Sequence, residues 1–387
     1  MPLDITNRVE ISRRSMLRSS GLALLGLALS ACGGASSGSG PASAKGSAEA
    51  KSGSWDDLVA AGKREGKVVV AGSPDPRARQ VITTGFKDRF GIEVEYIGGN
   101  PGDVSARIER ERVAGQYNVD VMLAGGDTTF GTFYPKGLLE PIKPALLLAE
   151  VADGSLWKTG QPWFRDPEGQ LVLQLFNTIT TTITINLQAV SPADVPTAES
   201  LLDPKWAGKI AAHDPSINGG GAIVGAALYV SKGKDFVTTL YRDHKVALSR
   251  ENQQVADWLA HASYPIGLAA SQSFLEPHIK AGLTFARPRL SDVKEAVSGG
   301  FGLVCLFDHA PHPNAARVFV NWIASKEGMA AYGRAIAQAP VRNDVAVDWL
   351  EPELLPKPGV SYVDTYEYKF QVQERLKIRD FYASILK

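Results

Sequence analysis

Four short groups of polar and glycine residues each follow a strand-like apolar run and could together bind a small solute. They are Ser73 and Asp75; Gly126, Asp127 and Thr128; Ser216, Asn218, Gly219 and Gly220; and Ser271 and Gln272. Backbone N–H groups at a glycine-rich helix start attract anions, carboxylates attract cations, and neutral hydroxyl and amide groups hydrogen-bond to either. We therefore expect these eleven residues to line one polar cleft.

The two kinds of charged group indicate which solute the cleft would take. The helix start at Gly219–Gly220 favours an anionic group, whereas Asp75 and Asp127 on the opposite wall favour a cation. A solute with both signs satisfies both walls, and a simple oxyanion satisfies only one. Two plainer interpretations stay open: the glycines only allow close helix packing, and Asp75 only caps its helix. We expect a small polar organic solute that is anionic or zwitterionic.

Residues that could support catalysis do not form a recognisable catalytic motif. His309 and His312 are three apart, but prolines interrupt the helix that a paired metal site would use. Ser216 lacks the G-x-S-x-G turn of a hydrolase, and Gly125-Gly126 lacks a phosphate-binding lysine. Cys305 lies in an apolar run, where we expect a buried, unreactive thiol. We expect no enzyme, no cofactor and no metal.

The elements that precede the first two groups read as one α/β domain with a mostly parallel sheet. Val68–Ala71, 92–97 and 119–124 are strand-like. Asp75 and Pro76 are a typical helix cap and first turn, and Gly91 ends the helix. Ligands bind beyond the carboxyl ends of such strands, where the loops at 72–75 and 125–128 lie.

A second α/β region follows a long β-branched stretch. Residues 171–187 predict one strand that crosses between two lobes, with a hinge near Phe176-Asn177. We expect residues 55–176 in a first lobe, 177–290 in a second, 291–350 returning to the first lobe and hinge, and 351–387 as a tail that is helical from about Tyr366. A helix should begin at Pro313 and end near Gly328. Its predicted core face consists of Ala315, Val318, Phe319, Trp322 and Ile323.

The first 54 residues predict export and a membrane anchor. Arg13-Arg14 precede an eleven-residue apolar run, which is too short to span a bilayer but typical of a secretory signal over residues 1–31. The arginine pair resembles a twin-arginine signal, and Leu29-Ser30-Ala31-Cys32 resembles a lipobox, which implies lipidation of Cys32. Residues 32–54 read as a Gly/Ser tether. The alternatives are the general export route and an ordinary signal peptide with a chance cysteine.

Charge and cysteine content restrict the partners. The chain has 387 residues with 41 basic and 41 acidic side chains, and removal of residues 1–31 leaves 37 basic and 39 acidic ones. This balance does not favour a nucleic-acid partner, which needs a basic face. Only Cys305 remains after Cys32 is lipidated, so no intramolecular disulfide can form.

Several segments in order resemble one known family over about residues 55–350. They are "WDDLVAAGKREGKVVVAGS", "VDVMLAGGD", "DPSINGGG", "APHPNAARVFVNWIASKEG" and "APVRNDV". The set resembles the extracellular solute-binding proteins of ABC importers, in the group with ferric-iron, polyamine and phosphonate receptors. The resemblance implies a two-lobed type 2 periplasmic-binding-protein fold, with mixed sheets flanked by helices and hinge strands between the lobes. It also implies one ligand in the cleft, an ABC permease as partner, and a monomer tethered to the cell membrane on its extracytoplasmic side.

One departure from the iron receptors bears on the ligand. Those proteins carry adjacent tyrosines just after the strand that matches Tyr264–Leu268, whereas this chain has Ser271-Gln272 near that place. Ferric iron bound through Tyr117, Tyr134 or Tyr264 stays open as the alternative, and a secreted enzyme as a weaker one.

Overall fold

The computed structural model describes residues 53–387, in which helices and strands alternate around three sheets. The helices are α1 (Trp55–Glu65), α2 (Pro76–Phe90), α3 (Pro101–Val113), α4 (Gly126–Thr128), α5 (Ala149–Ala152), α6 (Gly220–Thr238), α7 (Asn252–Ala260), α8 (Gln272–Lys280), α9 (Pro313–Ala324), α10 (Lys326–Ala335), α11 (Tyr368–Phe370) and α12 (Leu376–Ile385). The strands are β1 (Lys67–Gly72), β2 (Glu93–Gly98), β3 (Val121–Ala124), β4 (Leu139–Glu140), β5 (Val172–Gln174), β6 (Thr178–Thr180), β7 (Ile183–Asn186), β8 (Ile210–His213), β9 (Ala247–Ser249), β10 (Ile266–Leu268), β11 (Phe285–Ala286), β12 (Ala296–Ser298), β13 (Leu303–Phe307) and β14 (Val363–Asp364). The predictions for residues 1–31, for Cys32 and for nearly all of the tether lie outside the described residues.

The first sheet has the order β2-β1-β3-β13-β4, and β5 also pairs with β13. β1 is parallel to both β2 and β3, as its continuous run of buried valines predicts, and β13 is antiparallel to its neighbours. Helix α2 packs on this sheet through Phe86, whose ring contacts Phe319 and Trp322 of α9. We call this sheet with its packed helices the first lobe.

The second sheet has the order β11-β7-β10-β8-β9 and carries a separate hydrophobic core. β8 is parallel to β9 and β10, and β7 runs antiparallel to β10. Ile183, Ile210 and Ile266 are fully buried on this sheet. We call it, with helices α6, α7 and α8, the second lobe. The α/β class and the mixed sheets are as predicted.

The stretch 171–187 is three short strands and not the single strand that its composition predicts. β5 belongs to the first sheet, β7 to the second, and β6 to a third sheet of order β14-β12-β6. β-branched residues favour an extended backbone but do not determine which strand pairs with which. The chain therefore changes partner twice as it passes from one lobe to the other, and the exact hinge position stays a prediction.

Helix α9 ends earlier than predicted. The expected core face is buried, but the helix stops at Ala324, and Ser325 caps the next helix by accepting a hydrogen bond from the Gly328 N–H. The prediction that the helix ends near Gly328 was wrong because a serine cap starts a new helix three residues earlier. Cys305 is buried in β13, as expected.

The C-terminal segment is attached to both lobes. Tyr366 is buried in the core of the first lobe, whereas Ile378 and Tyr382 are buried in the core of the second. The Tyr382 hydroxyl donates to the Gly225 carbonyl oxygen at 2.9 Å. The helical part begins at Tyr368, close to the predicted Tyr366. Within residues 53–387 no helix combines the length and the apolar composition needed to cross a bilayer.

Candidate ligand-binding site

A cavity of about 330 Å³ lies where loops from both lobes and the C-terminal segment meet. Ten of the eleven residues predicted from sequence line it: Ser73, Asp75, Gly126, Asp127, Thr128, Asn218, Gly219, Gly220, Ser271 and Gln272. Ser216 is not among the lining residues. Its hydroxyl and its backbone N–H both donate to Asp214 Oδ1, at 2.6 and 2.8 Å. The structure thus brings all four predicted groups to one place.

Asp75 serves as the cap of α2 and as the partner of an arginine. Its Oδ1 accepts from the Arg77 backbone N–H at 2.8 Å, and its Oδ2 accepts from Arg77 Nη2 at the same distance. Arg77 also donates to Glu276 and to the Ser273 carbonyl oxygen, both in the second lobe. Arg77 therefore connects the start of α2 to α8 beside the cavity.

Asp127 is paired with an arginine from the far end of the chain. Arg375 Nε and Nη2 donate to its two carboxylate oxygens at 2.8 and 3.0 Å, and the side chains of Arg375 and Asp127 are 4% and 14% exposed. Each predicted cation-attracting carboxylate thus already has a guanidinium partner, which reduces its pull on a ligand's cation.

His213 fixes the glycine-rich start of α6. Its Nδ1 accepts from the Gly221 N–H at 3.3 Å, so the ring proton resides on Nε2. Burial lowers the pKa of His213, partly opposed by the nearby Asp214 carboxylate. A Cβ on Gly221 would lie 2.1 Å from the His213 carbonyl oxygen, so only glycine allows this approach.

Five helices of nine or more residues begin at the cavity: α2, α3, α6, α7 and α8. Asp75 caps α2 and Asn100 caps α3. Within the described part of the chain, the first residues of α6, α7 and α8 have no capping hydrogen bond from the side chain of their N-cap residue. At the start of α6, His213 accepts one N–H group, that of Gly221. The remaining unpaired N–H groups, and about half a positive charge at each N-terminus, attract anions. The second-lobe side of the cavity therefore favours anionic groups.

Four lining side chains carry a buried polar atom with no hydrogen-bond partner among residues 53–387. They are the amide oxygens of Gln272 and Gln338, Nη2 of Arg287 and Nη1 of Arg375. Such unpaired groups cost free energy unless a ligand or water satisfies them. The set offers two acceptors and two cationic donors.

Sequence reasoning missed the contribution of the C-terminal segment, of Arg287 and of His213. The segment supplies Thr365, Tyr366, Gln371 and Arg375 to the lining. The spacing of Gln371 and Arg375, which places both on one helix face, was the available signal. Nothing local indicated that this face would reach the cavity.

The three tyrosines considered as iron ligands lie elsewhere. Tyr117 stacks on His309, the Tyr134 hydroxyl donates to Glu168 at 2.6 Å, and Tyr264 packs on Trp258. The described residues contain no group of three or more His, Cys, Asp or Glu side chains able to hold a metal ion. His312 instead pairs with Asp120 at 2.9 Å.

Solved structures of similar fold include iron-bound proteins and a periplasmic binding protein. The iron- and citrate-bound IdiA (FutA) of Trichodesmium is 18% identical with a TM-score of 0.60, over 83% of this chain and 99% of that one. Iron-bound HitA of Pseudomonas aeruginosa is 18% identical with a TM-score of 0.62, over 82% and 99%. AfuA of Actinobacillus pleuropneumoniae with fructose-6-phosphate is 18% identical with a TM-score of 0.66, over 83% and 98%. At these identities the likeness shows the fold alone.

The sequence itself matches one family over most of its length. The model of the family described as bacterial extracellular solute-binding protein matches residues 81–356, which is more than half of the chain. The resemblance inferred from the motifs is thereby confirmed at the level of the family. With its two lobes and the polar cavity between them, the chain belongs to the family of bacterial extracellular solute-binding proteins.

Proposed function

We propose that this protein is an extracytoplasmic receptor that binds one small organic solute, anionic or zwitterionic, and delivers it to an ABC importer. Solute-binding proteins of this type hand their ligands to membrane permeases. The observation that carries the ligand class is the meeting of three helix N-termini, those of α6, α7 and α8, at one cavity, none of them capped by the side chain of its own N-cap residue.

The electrostatics of the cavity favour an anionic group on the second-lobe side. The helix starts supply N–H donors there, and Arg287 lines the same cavity with an unpartnered Nη2. The carboxylates of Asp75 and Asp127 oppose this weakly, because each is already bound by an arginine. A carboxylate or phosphoryl group is therefore the expected anchor of the solute.

The rest of the solute should carry hydrogen-bond donors. The unpaired amide oxygens of Gln272 and Gln338 accept hydrogen bonds, which hydroxyl or ammonium groups would supply. Glu251 also lines the cavity and could face an ammonium group. A hydroxylated or amino-substituted organic anion satisfies these acceptors, and a bare oxyanion does not.

Ferric iron is the weaker candidate. Tyr366 is the tyrosine that lines the cavity in the described chain, and its hydroxyl donates to the Gly300 carbonyl oxygen. Burial raises the pKa of Tyr366, which opposes the phenolate form that ferric iron prefers. An enzymatic role is weaker still, because the family and its structural relatives are binding proteins.

Titration calorimetry of purified, chelator-stripped protein, with Cys32 replaced by Ser, tests the assignment. The ligands are ferric iron, polyamines, phosphonates, carboxylates and sugar phosphates. We expect saturable 1:1 binding of at least one organic anion and no turnover. Tight ferric binding that survives Ser271→Ala and Gln272→Ala would overturn the ligand class while leaving the receptor function intact.

We also infer that Cys32 carries a lipid that holds the receptor at the membrane. The apolar run ends in Leu29-Ser30-Ala31-Cys32, and the Gly/Ser-rich tether separates this point from α1. Export would follow the twin-arginine route through Arg13-Arg14. The receptor would act as a monomer without a cofactor.

A further inference from the structure

We propose that residues 363–386 form a third wall of the binding site and that Arg375 donates its Nη1 N–H groups to the anionic group of the solute. This inference rests on the proposed function. It assigns the recognition of the solute's charge to a segment that lies outside residues 81–356, the part that matches the family.

Contacts with the rest of the protein hold both ends of the segment beside the cavity. β14 pairs in parallel with β12, and the Thr365 hydroxyl donates to the Val297 carbonyl oxygen at 2.9 Å. Further along, Tyr382 is fully buried in the core of the second lobe. Arg375 lies between these two attachments, so its position is fixed from both sides.

The loop of the first lobe is fitted closely to the segment. A Cβ on Gly126 would lie 2.6 Å from Gln371 Nε2, so the Gln371 side chain packs directly against this loop. One turn later, Arg375 reaches Asp127, the next residue of the same loop. Glycine at 126 and the carboxylate at 127 thus hold the helix against the cavity.

The geometry of the guanidinium separates its two roles. Nε and Nη2 bind Asp127, an interaction that orients the planar group. Nη1 is buried and has no hydrogen-bond partner among residues 53–387. The Arg375 side chain is 4% exposed and lines the cavity. Because Nη1 is buried in this structure, we infer that solute binding uncovers it and that a carboxylate or phosphoryl oxygen then supplies the missing acceptor. Asp127 is therefore a positioning residue and Arg375 a ligand-binding one.

Arg375→Gln and the double variant Asp127→Asn/Arg375→Gln test this assignment. The double variant removes both charges, so it leaves no unpaired buried carboxylate that could unfold the protein. Lys377→Gln is the matched control, because it removes an exposed cation two positions further along the chain, in α12. Arg375→Lys retains the charge without the planar fork.

Affinities are measured by titration calorimetry with citrate, 2-aminoethylphosphonate, fructose 6-phosphate and inorganic phosphate, which separates carboxylate from phosphoryl recognition. For whichever probe the unmodified protein binds, both Gln variants should lose about ten- to hundredfold in affinity, the worth of a charged hydrogen bond. Arg375→Lys should recover part of it, and Lys377→Gln should match the unmodified protein.

Unchanged affinity in both Gln variants, with only a lower melting temperature, would show that Arg375 has a structural role. It would overturn this inference but leave the proposed function intact. Failure of the unmodified protein to bind any of the probes would contradict the anionic ligand class itself, and this inference with it.

Discussion

At the scale of single residues, His213 couples the start of α6 to pH. Its neutral ring accepts the Gly221 N–H, and burial lowers its pKa below the usual 6.5. The unfolded chain therefore binds a proton on this histidine at a higher pH than the folded chain does. By linkage, the stabilisation is present above about pH 6.5 and is lost as the pH falls below that value through the lower pKa of the folded protein.

We predict that His213→Asn reduces the pH dependence of stability. The asparagine oxygen can replace Nδ1 as the acceptor but does not titrate. The free energy of unfolding, from urea titrations at pH 7.5 and 5.5, should fall less on acidification in this variant. The exposed-histidine variant His261→Asn is the control and should behave as the unmodified protein. An equal loss of unfolding free energy on acidification in all three proteins would contradict the role of His213.

Gly221 gives a second prediction at this scale. An alanine there would place its Cβ 2.1 Å from the His213 carbonyl oxygen, so the start of α6 must shift. We expect Gly221→Ala to destabilise the protein by about 1–3 kcal/mol and to weaken ligand binding. Gly131→Ala is the control, because no atom lies within 4 Å of its added Cβ. Equal melting temperatures for the two variants would argue against a required close approach.

The candidate site could be predicted from sequence only where local signals suffice. Strand, glycine-bearing loop and helix start recur in order, and the loops at strand ends of both lobes meet at one cavity. The partner of Asp127 could not be found this way, because Arg375 lies 248 positions away. Side-chain pairs at such separations depend on how the lobes and the C-terminal segment pack.

At the scale of elements, the contact between α2 and α8 crosses from one lobe to the other. Arg77 holds Asp75 in the first lobe and reaches Glu276 and the Ser273 carbonyl oxygen in the second. Closure around a ligand would be favoured by this bridge. The side chains of Arg77 and Glu276 are 38% and 36% exposed, so water screens their attraction.

We expect Glu276→Gln to weaken ligand affinity by no more than about fivefold, because an exposed ion pair is worth about 0.2–1 kcal/mol. The loss should come from faster dissociation, measured by stopped-flow fluorescence. Glu327→Gln is the control, since Glu327 pairs with Arg89 of the same helix α2 within the first lobe. A similar effect of both variants would show that the bridge has no specific role in closure.

The elements themselves were predictable where their determinants are local. Asp75, Pro76 and Gly91 mark α2, and the structure gives it that cap, that first residue and a left-handed Gly91 with φ of 68°. The division of residues 171–187 into three strands was not predictable, because these strands pair with β13, β12 and β10, which lie far along the sequence. An extended backbone is a local preference, whereas the choice of sheet is a tertiary one.

At the scale of the whole molecule, two separate cores are joined by the crossing strands and by the C-terminal segment. The family match explains the two lobes, and residues 357–387 extend beyond it. The sequence predicted two lobes but not that the tail returns to the cavity. The tail's apolar positions, such as Ile378 and Tyr382, are buried in the core of the second lobe.

The proposed anchor leads to a prediction about cell fractions. Cys32→Ser should move the protein from the membrane to the soluble fraction, because an acyl chain is the proposed attachment. Immunoblots of separated fractions measure this. Continued membrane association would contradict the lipobox interpretation. Replacement of Arg13 and Arg14 by Lys should block export if the twin-arginine route is used.

The central claim is that one small organic anion binds in the cavity between the lobes. A crystal structure of the protein with its tightest-binding solute tests this most directly. We predict density for one solute in the cavity, with its anionic group near the starts of α6 and α8 and within hydrogen-bond distance of Arg375. A solute bound elsewhere on the surface, or a metal ion held by tyrosines, would contradict the account.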